Sequence, residues 1–255
     1  MQKIISYNVN GIRSAWNKGF AEWIEKENPD VLCLQELKAH EDQIDLLFFQ
    51  SLGYHILLNP AQKKGYSGVA LFSKRKPDFH SQGIGIQQFD VEGRLIRADF
   101  GPLTILCVYI PSGTMGELRQ GFKMEFLNAF SLFINNLRKE RPELLICGDF
   151  NIAHKSIDIN HPERHKKSSG FVPEERKWLD ELFASGFVDT FREFDASPEK
   201  YSWWSYLANS RTKNLGWRID YHVVTEQVRP KLKNAGILSE VVHSDHCPVM
   251  AEVDY

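Results

Sequence analysis

The chain has 255 residues, of which 42% are hydrophobic and 25% are charged, so it can bury one large core or two ordinary ones. Lysine and arginine together number 31 against 33 aspartates and glutamates, which gives a net charge of -2. This balance excludes a global electrostatic attraction to nucleic acid, so an anionic partner has to meet a local basic patch.

The cysteines indicate a reducing compartment. Four are present, widely spaced and without a Cys-x-x-Cys pair: Cys33, Cys107, Cys147 and Cys247. The first three lie in apolar runs, where buried free thiols are common, and we predict no zinc site. The N-terminus runs directly into a strand pattern, and no apolar run is long enough to span a membrane. We therefore expect a cytoplasmic protein without a signal peptide and without a membrane partner.

Hydrophobic periodicity predicts strands and helices in both halves of the chain. Short apolar runs bounded by turn residues predict strands at about 2–8, 31–34, 54–58, 67–73, 96–100, 103–110, 144–148, 218–224, 235–242 and 249–253. Apolar residues at helical spacing predict helices at about 20–27, 41–51, 117–139 and 173–185. A polar and basic loop at 152–172 separates the last two helices. We find no repeat and no linker, so we expect one domain, 1–255, with two packed mixed sheets flanked by helices.

The stretch Leu144-Leu145-Ile146-Cys147-Gly148-Asp149-Phe150-Asn151 combines a buried strand with a polar end. Its apolar run is typical of a strand covered on both faces, and Gly148 marks a bend or a close backbone approach. Residues two apart in an extended chain point the same way, so Asp149 and Asn151 project together past the strand end. Ligand sites of layered α/β proteins commonly lie outside strand ends.

Other predicted strands also end in polar residues. These strand-end residues are Asn8, Asn10, Glu36, Tyr109, Asp149, Asn151, Asp220, Asp245 and His246. Each alone has an ordinary explanation, since Asp and Asn tolerate turns and a tyrosine can cap a core. Together they form an oxygen-rich set with one imidazole, which suits Mg²⁺ or Mn²⁺ and not zinc. Such a set is what phosphodiester hydrolysis needs, and the lack of a Gly-x-x-x-x-Gly-Lys loop disfavours nucleoside triphosphate hydrolysis.

The order of these groups along the whole chain resembles the exonuclease III type apurinic/apyrimidinic endonucleases. The matching segments are Ser6–Arg13, Leu34–Glu36, Gly65–Val69, Tyr109–Pro111, Gly148–His154, Leu215–Tyr221 and Ser244–Pro248. The resemblance implies a four-layer α/β sandwich and Mg²⁺-dependent incision of duplex DNA 5′ to abasic sites. It also implies 3′–5′ exonuclease and 3′-end-cleaning activity, and a monomer of bacterial type that associates with the nucleoid through DNA.

The resemblance also implies roles for individual residues. Glu36 is the main metal carboxylate, in a metal region that comprises Asn8, Asn10, Glu36, Asp149, Asn151, Asp245 and His246. Asn8 supports this region by hydrogen bonding. Asp149 orients and deprotonates the attacking water, or protonates the leaving group, and Asn151 holds the water or a phosphate oxygen. Tyr109 donates to the phosphate or the leaving oxygen. His246 binds the phosphate and is held in its tautomer by Asp220.

Two further sets are expected to contact DNA. Trp203, Leu215 and Trp217 match a hydrophobic pocket that accepts a base-less sugar. Candidates for contacts to the DNA backbone are Lys38, Lys64, Arg94, Lys166 and Lys167. The chain departs from the family pattern at His165 and Ser168, where many relatives carry substrate-binding asparagines, and at Ser112, where some have Asn. These departures bear on substrate preference and leave the reaction unchanged.

Two other functions fit parts of the sequence. A phosphodiesterase acting on lipid or inositol phosphates shares the superfamily, but the Trp203, Leu215 and Trp217 cluster argues against it. A nucleic-acid-binding regulator built on an inactive nuclease scaffold typically loses the catalytic residues, and here the set is complete.

Overall fold

Two six-stranded mixed sheets form the centre of the structure, a computed structural model that describes residues 1–255. The strands are β1 (Gln2–Asn8), β2 (Val31–Gln35), β3 (His55–Asn59), β4 (Val69–Ser73), β5 (Phe79–Gln82), β6 (Leu95–Phe100), β7 (Leu103–Tyr109), β8 (Glu143–Asp149), β9 (Phe187–Asp189), β10 (Trp203–Trp204), β11 (Gly216–Trp217), β12 (Asp220–Thr225), β13 (Leu232–Ile237) and β14 (Val249–Val253). The first sheet has the order β13-β14-β1-β2-β4-β3 and the second β5-β6-β7-β8-β12-β9, while β10 and β11 form a separate hairpin.

Helices cover the outer face of each sheet. They are α1 (Ile12–Trp16), α2 (Phe20–Glu27), α3 (Leu46–Ser51), α4 (Gln87–Asp90), α5 (Glu117–Glu140), α6 (Pro162–His165), α7 (Pro173–Ala184) and α8 (Thr190–Phe194). None of these helices combines the length and the apolar character needed to cross a membrane.

The core is layered because the central strands bury both of their faces. In β8, Leu145 and Cys147 pack between the two sheets, whereas Leu144 and Ile146 pack against α5 and α7. In β1, Ile4 likewise faces the other sheet and Ile5 faces α2. Helices, sheet, sheet and helices therefore form four layers, which confirms the predicted α/β sandwich. The core shared by the sheets supports the single domain that we propose for 1–255.

The parallel strand pairs explain why the polar strand ends meet. In the first sheet β1 runs parallel to β2, and in the second β7 runs parallel to β8. Carboxyl ends of parallel neighbours lie at the same edge, which brings Asn8 beside Gln35 and Tyr109 beside Asp149. The antiparallel strand β12 starts at this edge, with Asp220 opposite Asp149. The loop before β14 reaches the same edge, since Val249 pairs with Ser6 of β1.

Three local predictions differ from the structure. The helix predicted at 41–51 is split into a 3₁₀ turn, Glu41–Gln43, and α3, because the Asp45 side chain caps α3 by accepting the Phe48 N–H at 3.1 Å. The strand predicted at 235–242 is instead Leu232–Ile237, since the chain turns at Leu238, where Val241 N–H bonds the Leu238 carbonyl. The loop at 152–172 contains a 3₁₀ turn, Ser156–Asp158, and α6. All four cysteines are buried and free.

Gly148 should tolerate no side chain. Its φ is 148°, and a Cβ placed on it would lie 1.8 Å from the carbonyl oxygen of Val108 on β7. Gly148→Ala therefore forces β7 and β8 apart directly before Asp149, and we expect it to lower the free energy of unfolding by at least about 1–3 kcal/mol in urea denaturation. Gly121→Ala is the control, because that glycine lies exposed in α5 with nothing within 4 Å of an added Cβ. It should stabilise by about 0.5–1 kcal/mol. Equal stability of the two variants would show that β7 and β8 can accommodate a side chain at Gly148.

Candidate active site

A cleft of about 570 Å³ opens at the edge where the polar strand ends converge. It is lined by Glu36, Tyr109, Ser112, Thr114, Asp149, Asn151, His165, Ser168, Ser169, Gly170, Trp203, Trp217, Ile219, Asp245 and His246. Most of the residues predicted as catalytic or metal-binding are in this lining. Asn8, Asn10 and Asp220 lie directly behind it and reach it through hydrogen bonds.

The backbone turns sharply where the strands deliver these side chains. Asn10, Glu36, Lys38 and Asn151 all have left-handed conformations, with φ between 45° and 53°. Such conformations are uncommon for residues other than glycine and tend to gather at functional sites. These residues lie in the turns that follow β1, β2 and β8.

Asn8 links the carboxylates of the two sheets. It is fully buried, and its Nδ2 donates to Glu36 Oε1 at 2.9 Å and to Asp149 Oδ2 at 2.8 Å. Its Oδ1 accepts the Asn10 N–H at 3.0 Å. Because the amide oxygen is engaged and the nitrogen faces the carboxylates, Asn8 supports the site by hydrogen bonding, and its place in the predicted metal set stays a prediction.

Glu36 lies in a pocket that attracts positive charge. Lys38 Nζ is 2.8 Å from Glu36 Oε2 and also bonds Asn10 Oδ1. Burial alone raises the pKa of Glu36, but Lys38 and the Asn8 amide outweigh burial and lower that pKa. The ammonium of Lys38 thus points into the cluster, and its contact with the DNA backbone stays a prediction.

The donor set fits a divalent cation. Glu36, Asp149 and His246 each offer one ligand atom, and these atoms lie within 4.8 Å of one another. Asp245 lies next to Asn10, whose Nδ2 donates to Asp245 Oδ1 at 2.9 Å. Carboxylate and amide oxygens are the ligands that hard cations prefer, and the bound Lys38 ammonium marks the position as favourable for a cation.

The buried carboxylate of Asp220 holds the His246 ring, and the buried Ser202 in turn holds Asp220. Nδ1 of His246 is 2.9 Å from Asp220 Oδ2, and that oxygen also accepts the Ser202 hydroxyl at 2.7 Å. Burial alone lowers the pKa of His246, but the charge of Asp220 outweighs burial and raises it to about 10. The raised pKa favours a protonated imidazole that donates hydrogen bonds, and the metal-ligand role of His246 stays a prediction. Ser202, which no sequence motif indicated, also accepts the N–H groups of Ile219 and Asp220.

The carboxyl group of Asp149 is held by Asn151, and its pKa is raised. Asn151 donates to both of its oxygens, from the backbone N–H at 2.8 Å and from Nδ2 at 3.1 Å. Burial, followed by the negative charge of Asp220, raises the pKa of Asp149 to about 7. His246 Nε2 lies 3.9 Å from Asp149 Oδ2, beyond hydrogen-bond distance, so both groups face the same space.

Arg94 supports Tyr109 and does not face a DNA backbone, which corrects its predicted role. Only 2% of Arg94 is exposed, and its guanidinium donates to Glu92, to the Tyr66 hydroxyl and to the Tyr109 carbonyl. It also stacks 4.7 Å from the centre of the Tyr109 ring. Burial, followed by the charge of Glu36, raises the pKa of the Tyr109 hydroxyl well above its ordinary value, so this hydroxyl stays a donor.

One wall of the cleft is apolar and consists of Trp203, Trp217 and Ile219. The two indole rings meet edge to face at 6.0 Å, and Trp203 Nε1 donates to Asp245 Oδ2 at 3.0 Å. Leu215, predicted for this wall, lines a separate cavity with Ile157, so that prediction is wrong. Ile219 takes its place because it follows Trp217 by two residues and shares its side of the extended chain.

The remaining DNA-contact candidates fall into two groups. His165 and Ser168 line the cleft, and the His165 ring packs 5.0 Å from that of Trp217. Lys64, Lys166 and Lys167 are exposed outside the cleft, and Lys166 pairs with Glu163.

Comparison with known proteins places the chain among nucleases. The sequence profile of the endonuclease/exonuclease/phosphatase family matches residues 5–246. An exodeoxyribonuclease of Bacillus subtilis is 41% identical over 249 residues, which cover 97% of each chain. A DNA-(apurinic or apyrimidinic site) endonuclease of Dictyostelium discoideum is 40% identical over 99% of this chain and 70% of its own. The 3′ phosphatase NExo from Neisseria, solved with a product DNA hairpin, superimposes with a TM-score of 0.93 at 27% identity over the full length of both chains.

Proposed function

Because the chain belongs to the endonuclease/exonuclease/phosphatase family, we propose that it is a Mg²⁺-dependent DNA repair phosphodiesterase that incises duplex DNA on the 5′ side of abasic sites. The membership and the relatives confirm the resemblance seen in the sequence motifs and the prediction of an enzyme of the exodeoxyribonuclease and apurinic/apyrimidinic endonuclease type. One observation carries the proposal: a cluster of Glu36, Asp149 and His246 shares its cleft with the apolar wall of Trp203, Trp217 and Ile219.

Glu36 is the residue that would hold the divalent cation, with Asn10, Asp245 and Asp149 around it. Mg²⁺ suits these oxygens, and Mn²⁺ is the alternative. When bound, the cation neutralises the charge of the phosphate oxygens. Lys38 would have to move away from Glu36 Oε2 for a cation to bind there.

Asp149 has the properties of the base in this reaction. With a pKa near 7, it exchanges a proton in the range where a general base is most effective. Asn151 holds both carboxylate oxygens in place and leaves its own Oδ1 without a partner in the protein. In our proposal, this pair aligns a water molecule and accepts its proton.

His246 and Tyr109 are the donors. His246 Nε2 faces the space next to Asp149, and its charge is maintained by Asp220. Tyr109 also lines the cleft, and Arg94 holds it by bonding its carbonyl and stacking on its ring. Donors fixed before the reaction stabilise the negative charge that develops on the phosphate and on the leaving oxygen.

The apolar wall supplies selectivity. A protein reaches the phosphate at an abasic site by swinging the sugar out of the stack, at a cost that is least where pairing is already lost. Rigid indole walls accept a sugar without a base and reject an intact nucleotide by steric clash. The same chemistry applied at a DNA end gives 3′–5′ exonuclease and 3′-phosphatase activity, and both activities appear in the names given to the similar NExo structures.

The partner that we propose is double-stranded DNA with abasic sites or damaged 3′ ends, bound by a monomer. Exposed lysines outside the cleft, Lys64, Lys166 and Lys167, are candidates for contacts with the DNA backbone. A local basic surface is required because the net charge is -2. We place the protein in the cytoplasm, on the nucleoid, and the buried free thiols agree with a reducing compartment.

The function is tested with three duplexes in Mg²⁺: one carries an abasic site, one a recessed 3′ end and one a 3′-phosphate. We expect incision 5′ to the abasic site with a 3′-hydroxyl product, resolved on a denaturing gel. EDTA should abolish cleavage, since charge on the phosphate is then not neutralised, and added Mg²⁺ should restore it. Undiminished cleavage in EDTA would show that Glu36 does not act through a metal ion. An abasic duplex that stays intact would show that it is not the substrate.

Asp149→Asn should lower the single-turnover rate by about 10²–10⁴-fold while DNA affinity changes little, because the substitution keeps the shape and removes the base. The matched control is Asp180→Asn, whose carboxylate is half exposed and lies outside the cleft. Rates with excess enzyme and affinities from anisotropy separate the two effects. A rate loss below about tenfold would show that Asp149 is not the base.

Trp217→Ala should reduce abasic cleavage and lower the ratio of abasic to intact cleavage, because it opens the apolar wall. The melting temperature should change little, since the ring is partly exposed. Leu215→Ala removes an apolar side chain from the neighbouring cavity and should leave the ratio unchanged. If Trp217 is ordinary core, its removal costs about 3–5 kcal/mol of stability with an unchanged ratio, and the wall assignment fails.

A further inference from the structure

A fully buried ion pair lies behind the cleft. Lys123 of α5 and Glu175 of α7 both have no exposed side-chain surface, and Lys123 Nζ is 2.6 Å from Glu175 Oε1. Neither residue lines the cleft. Burying two charges costs free energy unless further hydrogen bonds satisfy both groups, so the partners of the pair show what it holds.

The first contact of the pair is with the catalytic turn. Lys123 Nζ donates to the Asn151 carbonyl at 2.8 Å. Asn151 is in a left-handed conformation, and its N–H and amide both bond Asp149. The ammonium of Lys123 thus fixes the carbonyl of Asn151, and Asn151 in turn holds the carboxylate of Asp149.

The second contact is with the loop that faces the apolar wall. Glu175 Oε2 accepts the Gly170 N–H at 2.6 Å, and its Oε1 accepts the Ser169 hydroxyl at 3.3 Å. A Cβ on Gly170 would lie 2.8 Å from Cζ3 of Trp217, so this backbone packs directly on the indole ring. A shift of Glu175 therefore moves the support of Trp217.

The third contact is with the segment that carries Ser112 and Thr114. Gln120 Nε2 donates to Glu175 Oε1 at 2.9 Å. A Cβ on Gly113 would lie 1.9 Å from Gln120 Oε1 and 2.5 Å from Ser169 Oγ. The segment is thus packed against the residues bound to Glu175.

We infer that the Lys123–Glu175 pair is a positioning unit that aligns three loop segments of the cleft: Asn151, Ser168–Gly170 and Ser112–Thr114. These segments belong to no sheet, so strand pairing does not fix them. The inference rests on the proposed function for its activity readout. Both side chains act through other residues and touch neither metal nor DNA.

A neutral double variant distinguishes positioning from mere stability. Lys123→Met alone leaves a buried unpaired carboxylate and should unfold more readily. Lys123→Met/Glu175→Gln removes both charges. The oxygen of the new amide at position 175 can still accept the Gly170 N–H, and its NH2 group can donate to Gln120 Oε1, which has no partner in the protein, once the Gln120 amide turns over. The contact to the Asn151 carbonyl is lost. The fold should therefore survive while the catalytic turn is released.

We expect the double variant to cleave abasic DNA about 10–100-fold more slowly in single turnover, with affinity for that DNA within a few-fold of the wild type, because small misplacements of reacting groups cost rate. The control is Arg97→Met/Asp99→Asn, which removes a partly buried ion pair that does not line the cleft. Its rate should be unchanged. Melting temperatures of all three variants report the fold.

Full wild-type rate in the stable double variant would overturn the inference, as would a rate that falls only when the melting temperature falls. Amide signals in NMR give a readout independent of cleavage. The N–H signals of Asn151 and Gly170 and the indole signal of Trp217 should shift in the double variant and stay fixed in the control. If the wild type cleaves none of the three duplexes, the proposed function fails, and these signals still decide whether the pair positions the cleft.

Discussion

One buried amide joins the two sheets at the edge that carries the cleft. Asn8 ends β1 in the first sheet, and its Nδ2 bonds both Glu36 at the end of β2 and Asp149 at the end of β8 in the second sheet. A donor between two carboxylates offsets part of their repulsion and the cost of burying them. Glu36 and Asp149 are thereby held at a fixed separation, and the other contacts of the site build outward from this link.

The same need to satisfy buried charge shapes the surroundings of the site. Asp220 is matched by His246 and Ser202, and Arg94 is matched by Glu92 and by polar groups around Tyr109. Arg218, only 1% exposed, bonds Asp158 and Asp189, and so ties the loop after β8 to the start of β12. Removing one member of such a pair leaves an unpaired charge, so these positions are constrained together. This network leaves the cleft with few groups free to reorient, as preorganised catalysis requires.

Periodicity in the chain predicted the layers because a strand buried on both faces leaves a local signature. The run Leu144–Cys147 is apolar throughout, and alternate residues of β8 do pack on opposite sides of the sheet. Tyr109 and Asp149 lie side by side because parallel strands end at the same edge. Asn8 belongs to the other sheet and reaches Asp149 only because the two sheets pack together. Short elements such as α1, α4 and β9 were missed because a single turn or three residues carry too little pattern.

The sequence by itself determined the four-layer fold, the polar strand ends and the family, because each depends on local pattern or on ordered motifs. Only the tertiary structure decided which residue of a motif faces the cleft. Ile219 and not Leu215 completes the apolar wall, and Arg94 lies beneath Tyr109, because side-chain direction depends on turns such as the left-handed Asn214 and on packing from distant strands. The Lys123–Glu175 pair had no sequence signal, since its members lie 52 residues apart on helices whose other residues show an ordinary amphipathic pattern. Burial of a charge is a property of the packed chain, and it appears only when the partners are in place.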